Sequence, residues 1–196
     1  MGEDGAMDST RDISSLLLSA EEAAGMDARG PTEAAVLLAL YGWPDNPGLI
    51  FTERGGDLRR HAGEVSFPGG RQDAADADLE ATALREANEE IALDPAGVEV
   101  VGALPPVSTF VTGYRIQPFV GLVDDPSELN LQPNPTEVEI VLAFTVERLR
   151  KGYEMRRLIR RGVPVHTPTY EVDGQMIWGA TARILGDFLR RLQTGA

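Results

Sequence analysis

Three carboxylates crowd the stretch Arg85-Glu86-Ala87-Asn88-Glu89-Glu90, about a turn and a half of chain if it is helical. Positions four apart on a helix lie above one another, so Glu86 and Glu90 share a face while Arg85 stands over Glu89. One carboxylate therefore has a cationic partner and two have none. Like charges at that spacing repel by roughly a few tenths of a kcal/mol per pair, and no Lys or Arg follows four residues beyond Glu86 or Glu90. A hard divalent cation would remove the repulsion. Carboxylates with a main-chain carbonyl are the oxygen ligands that Mg2+ takes, commonly shared with substrate phosphates. The same charge pattern, taken alone, is also that of a solvated acidic face. Upstream, Arg54, Arg59, Arg60 and His61 gather positive charge in a chain where bases are scarce. The arginine fork matches phosphate oxygens, although surface arginines need no ligand.

Holding these groups requires a helix with an apolar back and a fixed beginning. Asp78 can cap the start, Ala83, Ala87 and Ile91 form a small apolar stripe suited to close packing on a sheet, and Asp94-Pro95 stops the helix. The Gly69-Gly70 turn after Phe67-Pro68 leads into it through a small acidic loop. Thr32 to Tyr41 reads as a buried central strand, Gly48 to Thr52 as a second, and the Trp43 to Gly48 segment between them as a turn. Val98 to Leu104 and Thr112 to Val123 alternate like strands, the latter near an edge because of Pro118. Pro105 to Gly113 is expected to loop over the site, and Asp124 to Pro135 to be a connector. Glu137 to Phe144 reads as a strand, Arg150 to Arg161 as a basic helical segment, and Ile13 to Met26 as a packing helix. In the tail, Ile184, Leu185, Phe188, Leu189 and Leu192 recur at helical spacing, with Thr181 as the expected cap and Trp178 as core.

A chain of 196 residues, 42% hydrophobic and 25% charged, can bury a full core. Residues 13–196 are expected to form a single domain, preceded by a disordered segment over 1–12. Zero cysteines exclude disulfides, a thiolate nucleophile and zinc-thiolate sites. No apolar run suits a bilayer and the start is acidic rather than signal-like, so no membrane partner and a cytoplasmic location are expected. The formal charge of −13 argues against nucleic acid as a partner. A phosphate-bearing small-molecule substrate would then need local cations to overcome that field. The oligomeric state is not read from these residues.

At the acidic helix the chain resembles the Nudix hydrolase family. The pattern G-x5-E-x7-R-E-U-x-E-E-x-G-U, with U an aliphatic residue, places Arg85, Glu86, Ala87, Glu89, Glu90 and Leu93 on its last third. Ala92 stands where the box has glycine, a mild change on ordinary helical backbone, since only a positive φ demands glycine. Gly70 lies one residue too far upstream, so the isolated Glu of the box falls on Ala77, with Asp76 and Asp78 beside it. No role is carried over to that early acid.

A second signature, L-L-T-x-R-[SA]-x3-R-x3-G-x3-F-P-G-G of the coenzyme A pyrophosphatase branch, matches Ile50-Phe51-Thr52-x-Arg54-Gly55-x3-Arg59-x3-Gly63-x3-Phe67-Pro68-Gly69-Gly70 in every spacing. Ile177-Trp178-Gly179-Ala180-Thr181-Ala182-Arg183-Ile184-Leu185 resembles the closing I-W-G-x-T-A-x-I-L segment of the same branch. The resemblance implies the Nudix fold, an α/β/α sandwich with a mixed β-sheet. It implies Mg2+- or Mn2+-dependent hydrolysis of the coenzyme A diphosphate to 3',5'-ADP and 4'-phosphopantetheine. Glu86, Glu90 and the carbonyl of Gly70 would bind metal, Glu89 would be held by Arg85 and reach a second ion, and Arg54 and Arg59 would meet substrate phosphates beside Gly69 and Gly70. A catalytic carboxylate outside the box is expected at Glu137, with Glu139 second. Other members act on ADP-ribose or dinucleotides, and a noncatalytic nucleotide-sensing module would retain the same fold.

Overall fold

The computed structural model describes residues 13–55, 63–109, 113–160 and 163–194. The expectation of disorder over 1–12 lies outside them. The main sheet contains eight strands: β1 (Thr32–Tyr41), β2 (Gly48–Arg54), β3 (Val65–Ser66), β4 (Gly69–Arg71), β5 (Glu99–Ala103), β6 (Val107–Ser108), β7 (Tyr114–Leu122) and β8 (Val138–Thr145). A three-stranded sheet follows, β9 (Tyr153–Arg160), β10 (Val163–Val172) and β11 (Gln175–Ile177), in the order β11-β10-β9. The helices are α1 (Ala20–Ala24), α2 (Leu79–Ile91), α3 (Val146–Lys151) and α4 (Gly179–Thr194).

β1 is the organising strand. It pairs in parallel with β7 along most of its length, and its other edge is shared antiparallel between β2 at one end and β4 at the other. The sheet is thus mixed, and its apolar residues alternate between two cores. Ala35, Leu37, Ala39 and Tyr41 of β1 meet Ala83, Ala87 and Ile91 of α2. Leu38 and Leu40 turn the other way, with Leu49 and Phe51, toward Ile184, Leu185, Phe188 and Leu189 of α4 and Tyr170 and Val172 of β10. Strand period on β1 and helix period on α2 and α4 bury one stripe each, which is why both faces of the sheet are covered. Small residues on both sides of the α2 contact let that helix approach the sheet closely. Among the described residues no helix is long and apolar enough to cross a membrane.

Several expectations change. The helix expected over Ile13 to Met26 is interrupted: Ile13 and Ser14 are helical, Leu18 exchanges backbone hydrogen bonds with Ala103, and Ser19 then caps α1 in a box with Glu22. The basic segment expected to be helical is instead β9, bound along its length to β10. Pro118 lies in an interior strand rather than near an edge. The Pro118 carbonyl accepts from the Leu104 N–H where β5 has ended, and a residue's N–H points to the same side of a strand as its C=O. The donor that proline lacks therefore faces the gap between β5 and β6, and no bond to β1 is lost. The Pro105 to Gly113 segment contributes β6 on the β7 side of β1, across that strand from β4, and residues 110–112 are outside the description. Thr181 lies inside the first turn of α4, which begins at Gly179, rather than capping it.

Candidate metal and diphosphate site

The site begins with a backbone bend. Phe67, almost wholly buried, stacks on Phe51 with ring centroids 4.7 Å apart and fixes the chain entering Pro68-Gly69-Gly70. Gly69, at φ 155, presses on the backbone of Ala35 and Val36 so closely that a side chain there would overlap them. A Cβ on Gly70 would stand 2.5 Å from the carboxylate carbon of Glu86. The two glycines therefore do different work: the first lets two strands meet, and the second leaves room for a functional carboxylate.

The register of β4 against β1 also decides which carbonyl faces that carboxylate. Leu37 N–H donates to Pro68 O and Gln72 N–H to Glu33 O, with Ala35 opposite Gly70 between them. Antiparallel bonds alternate by residue, so Gly70 directs its N–H and C=O to Ala35 and Gly69 directs its own outward. Consistently, the Gly69 N–H donates to Glu90 Oε2 at 3.1 Å. The metal-facing carbonyl expected from Gly70 is corrected to Gly69 on this ground.

α2 starts at Asp78, whose side chain accepts from the Ala81 N–H, as expected. Glu90 is 6% exposed, and its carboxyl is pushed up to about 7. Burial is the main cause, helped by the charges of Glu86 and Glu137 and opposed by the Gly69 N–H and by Arg54. Glu86 is half-buried and also shifted upward, first by burial, with Arg85 opposing and Glu89 and Glu137 adding to the rise. These influences bring Glu137 and Arg54 to the carboxylate pair although each is far from it in sequence. Glu137 precedes β8, and its carbonyl accepts from the Gly55 N–H at 3.2 Å. Glu139 falls where the β2–β8 register shifts. Arg59, with Arg60 and His61, lies outside the described residues.

The expectation that Glu86 lacks a cationic partner does not hold. Arg85 reaches Glu89 at 2.9 Å as expected, and also Glu86 at 3.0 Å and the Arg71 carbonyl at 3.1 Å. Its main anchor is Asp76, held in a fork at 2.8 and 3.0 Å. Asp76 also accepts from the Asp73 N–H and the Thr82 hydroxyl, both at 2.9 Å. The Arg85 guanidinium holds its carboxyl far below the usual carboxylate range, with smaller help from the other two donors. Sequence reasoning assigned Asp76 no role; counting the box forward from Gly70 instead of backward from Arg85 lands on it. The extra residue of the loop is therefore absorbed between Asp76 and Arg85.

Ala92 ends α2 at φ 56 and ψ 28, a left-handed conformation, so the ordinary helical backbone expected there is not what the chain adopts. The end of α2 is further tied by the connector: Gln132 N–H donates to Ile91 O at 3.0 Å and Asn134 N–H to Glu90 O at 2.8 Å. Those bonds satisfy helix-terminal carbonyls and set the chain that delivers Glu137.

Among the described residues no three acidic or histidine side chains converge as a closed metal cage. Glu86, Glu90 and Glu137 instead form an open acidic face beside an outward backbone carbonyl. Hard oxygen donors under mutual repulsion suit a divalent cation that completes its shell with water and substrate oxygens. A groove of about 500 Å³, lined by Tyr153, Tyr170, Arg150, Arg183 and Arg190 among others, lies between β9–β10 and α4 on the opposite side of the sheet and takes no part in this face.

The NUDIX domain model matches residues 31–162. A protein named as an uncharacterized Nudix hydrolase, NudL, from Klebsiella pneumoniae is 42% identical over 166 residues, covering 84% of this chain and 83% of that one. Its namesake in Escherichia coli is 41% identical over 155 residues, covering 78% and 79%. Among solved structures, the Nudix hydrolase RenU of M. smegmatis superposes with a TM-score of 0.55 at 15% identity over 91% of both chains. A C. elegans Ap4A hydrolase in a binary complex gives a TM-score of 0.54 at 14% identity, covering 83% of this chain and 96% of that one.

Proposed function

The chain belongs to the Nudix hydrolase family, and from that premise we propose that it cleaves the diphosphate of coenzyme A, or of a close derivative, to 3',5'-ADP and 4'-phosphopantetheine with Mg2+ or Mn2+. The observation that carries the reaction type is the placement of Glu86 and Glu90 against the Gly69-Gly70 bend, with Glu90 buried and raised in pKa. The substrate rests on the spacing from Ile50 to Gly70, which resembles the coenzyme A branch.

Glu86, Glu90 and the Gly69 carbonyl would hold the first cation, and Glu89 a second. Bound there, the cation supplies charge that neutralises diphosphate oxygens and lowers the pKa of a water. Arg85 keeps Glu86 and Glu89 in place, itself clamped by Asp76. Arg54 lies close enough for its charge to favour the Glu90 carboxylate, and it and Arg59 would take phosphate oxygens that the acidic chain otherwise repels. Hydrolysis adds water across one P–O bond: the water oxygen joins phosphorus, the bridging oxygen leaves on the other phosphate, and the attacking water gives up one proton. Glu137, exposed beside the carboxylate pair, is the group we assign to accept it.

Glu86→Gln and Glu90→Gln conserve shape and remove charge. Each is expected to lower turnover by on the order of a thousandfold while the protein stays folded. Coenzyme A, ADP-ribose and dinucleoside polyphosphates assayed together, with products identified by mass spectrometry, test the substrate. Preference for a substrate without pantetheine would move the assignment to another diphosphate, and near-normal turnover in both variants would remove the catalytic role of the pair.

A further inference from the structure

We propose that Asn134 is a positioning residue whose side chain holds the Glu137 carboxylate beside Glu86 and Glu90, an inference that rests on Glu137 being the proton acceptor. The two parts of the acidic face are joined at this one residue. The Asn134 N–H donates to the Glu90 carbonyl at 2.8 Å, while the Asn134 carbonyl accepts from the Glu137 N–H at 3.0 Å and the Val138 N–H at 2.8 Å. Pro135 takes the second place of the turn so formed, where its fixed φ fits and no donor is required. On the far side the Glu137 carbonyl accepts from the Gly55 N–H at 3.2 Å, just beyond β2.

Any residue could make those main-chain bonds. Asparagine adds its side-chain oxygen, which accepts from the Thr136 N–H at 3.2 Å and from the Thr136 hydroxyl at 2.8 Å. Packing is no substitute for these bonds, since Pro135, Thr136 and Glu137 are exposed and Asn134 is only half-buried. Hydrogen bonds therefore decide where the Glu137 side chain leaves the backbone, and packing resumes only at Val138, in the core beneath α2. Without Oδ1 the Thr136 N–H would turn to water, and the turn would gain freedom that the main-chain bonds do not remove. Glu86 and Glu90 would stay where they are, because α2 carries them. Losing Oδ1 thus loosens the proton acceptor relative to the cation-binding pair, and a misplacement of about 1 Å at a reacting group can cost about a hundredfold in rate. Among the described residues only the oxygen of the Asn134 amide is engaged, so aspartate can take its place.

The test is turnover with Mg2+ of coenzyme A, or of whichever diphosphate assayed above the parent cleaves fastest. Asn134→Ala should lower kcat by roughly tenfold or more with KM little changed, and Asn134→Asp should keep most of the parent rate. In a Glu137→Gln background Asn134→Ala should cost nothing further, which a general weakening of the fold would not produce. Two readouts need no substrate: the Thr136 amide hydrogen should exchange faster in Asn134→Ala, and the stabilisation by Mg2+ should match that of the parent. Thr136→Val, at an exposed position, removes only the hydroxyl bond and carries the same comparison if Asn134→Ala does not fold. A Glu137→Gln variant that turns over like the parent, or a parent that cleaves none of the diphosphates, would remove the assignment of Glu137 and the proposal with it. Where Glu137→Gln is slow, the proposal alone is overturned by an Asn134→Ala variant as fast as the parent, by an Asn134→Asp variant as slow as Asn134→Ala, by losses that add in the double variant, or by loss of the Mg2+ effect in Asn134→Ala.

Discussion

Glu90 is nearly excluded from water and accepts the Gly69 N–H, yet its neighbours Glu86 and Glu137 disfavour its charge. Its folded carboxyl titrates at about 7, against 4.5 for the free group. A carboxyl raised in the fold stabilises it when protonated, so that contribution is full below pH 4.5 and is lost as pH rises through about 7. The shift corresponds to about 3 kcal/mol. Without metal, urea unfolding of the parent should show falling stability between pH 5 and 8, whereas Glu90→Gln should show a much flatter dependence and be the more stable of the two at pH 8. Equal slopes would mean that Glu90 is better solvated than its burial implies. Asp76 behaves in the opposite sense. Its carboxyl is lowered by Arg85, so its contribution exists above the ordinary carboxylate range and disappears as acid protonates it.

α2 carries the reacting groups, and its C-terminus is the least comfortable part of it. A non-glycine residue in the left-handed region costs about 1–2 kcal/mol, so Ala92→Gly should raise stability by about 1 kcal/mol after the extra entropy of the unfolded chain is counted. For a chain of this length that is a melting point higher by about 2–4 °C, and no change would mean that the bonds from the Ala92 N–H already determine the conformation. α2 and β1 were legible in the sequence because their own residues specify them. β1 spans the apolar run Thr32 to Tyr41 without a residue added or lost, and Asp78 caps α2 where a cap was expected. The elements that were misread depend on partners. Glu154-Met155-Arg156-Arg157-Leu158-Ile159 has the period of an amphipathic helix, and only β10, unable to be helical around Pro164 and Pro168, draws it into a ribbon. In the site, the stacked glutamates and the Arg85–Glu89 pair could be read from spacing alone. The Asp76 fork, the Gly69 amide and the choice between Gly69 and Gly70 could not, because each follows from how a loop closes or from strand register.

At the scale of the whole molecule the acidic surplus and the proposed cation act against each other. The net charge of −13 disfavours any further negative ligand, and a divalent ion on Glu86 and Glu90 offsets the most concentrated part of it. Mg2+ or Mn2+ at about ten times its Kd should stabilise the parent by about 1.4 kcal/mol at pH 8. Thermal scanning with and without chelator checks this apart from turnover, and the Glu86→Gln, Glu90→Gln double variant should lose the effect. The two connector amides bonded to Ile91 and Glu90 have a separate consequence. Because Glu137 is moored to the helix through Asn134, and Leu129 and Leu131 anchor the connector to the α2 core, the outlying turn from Asp124 to Glu128 can change without displacing Glu137. Evolution is free to lengthen or re-tailor that stretch for new substrates without retuning the proton acceptor.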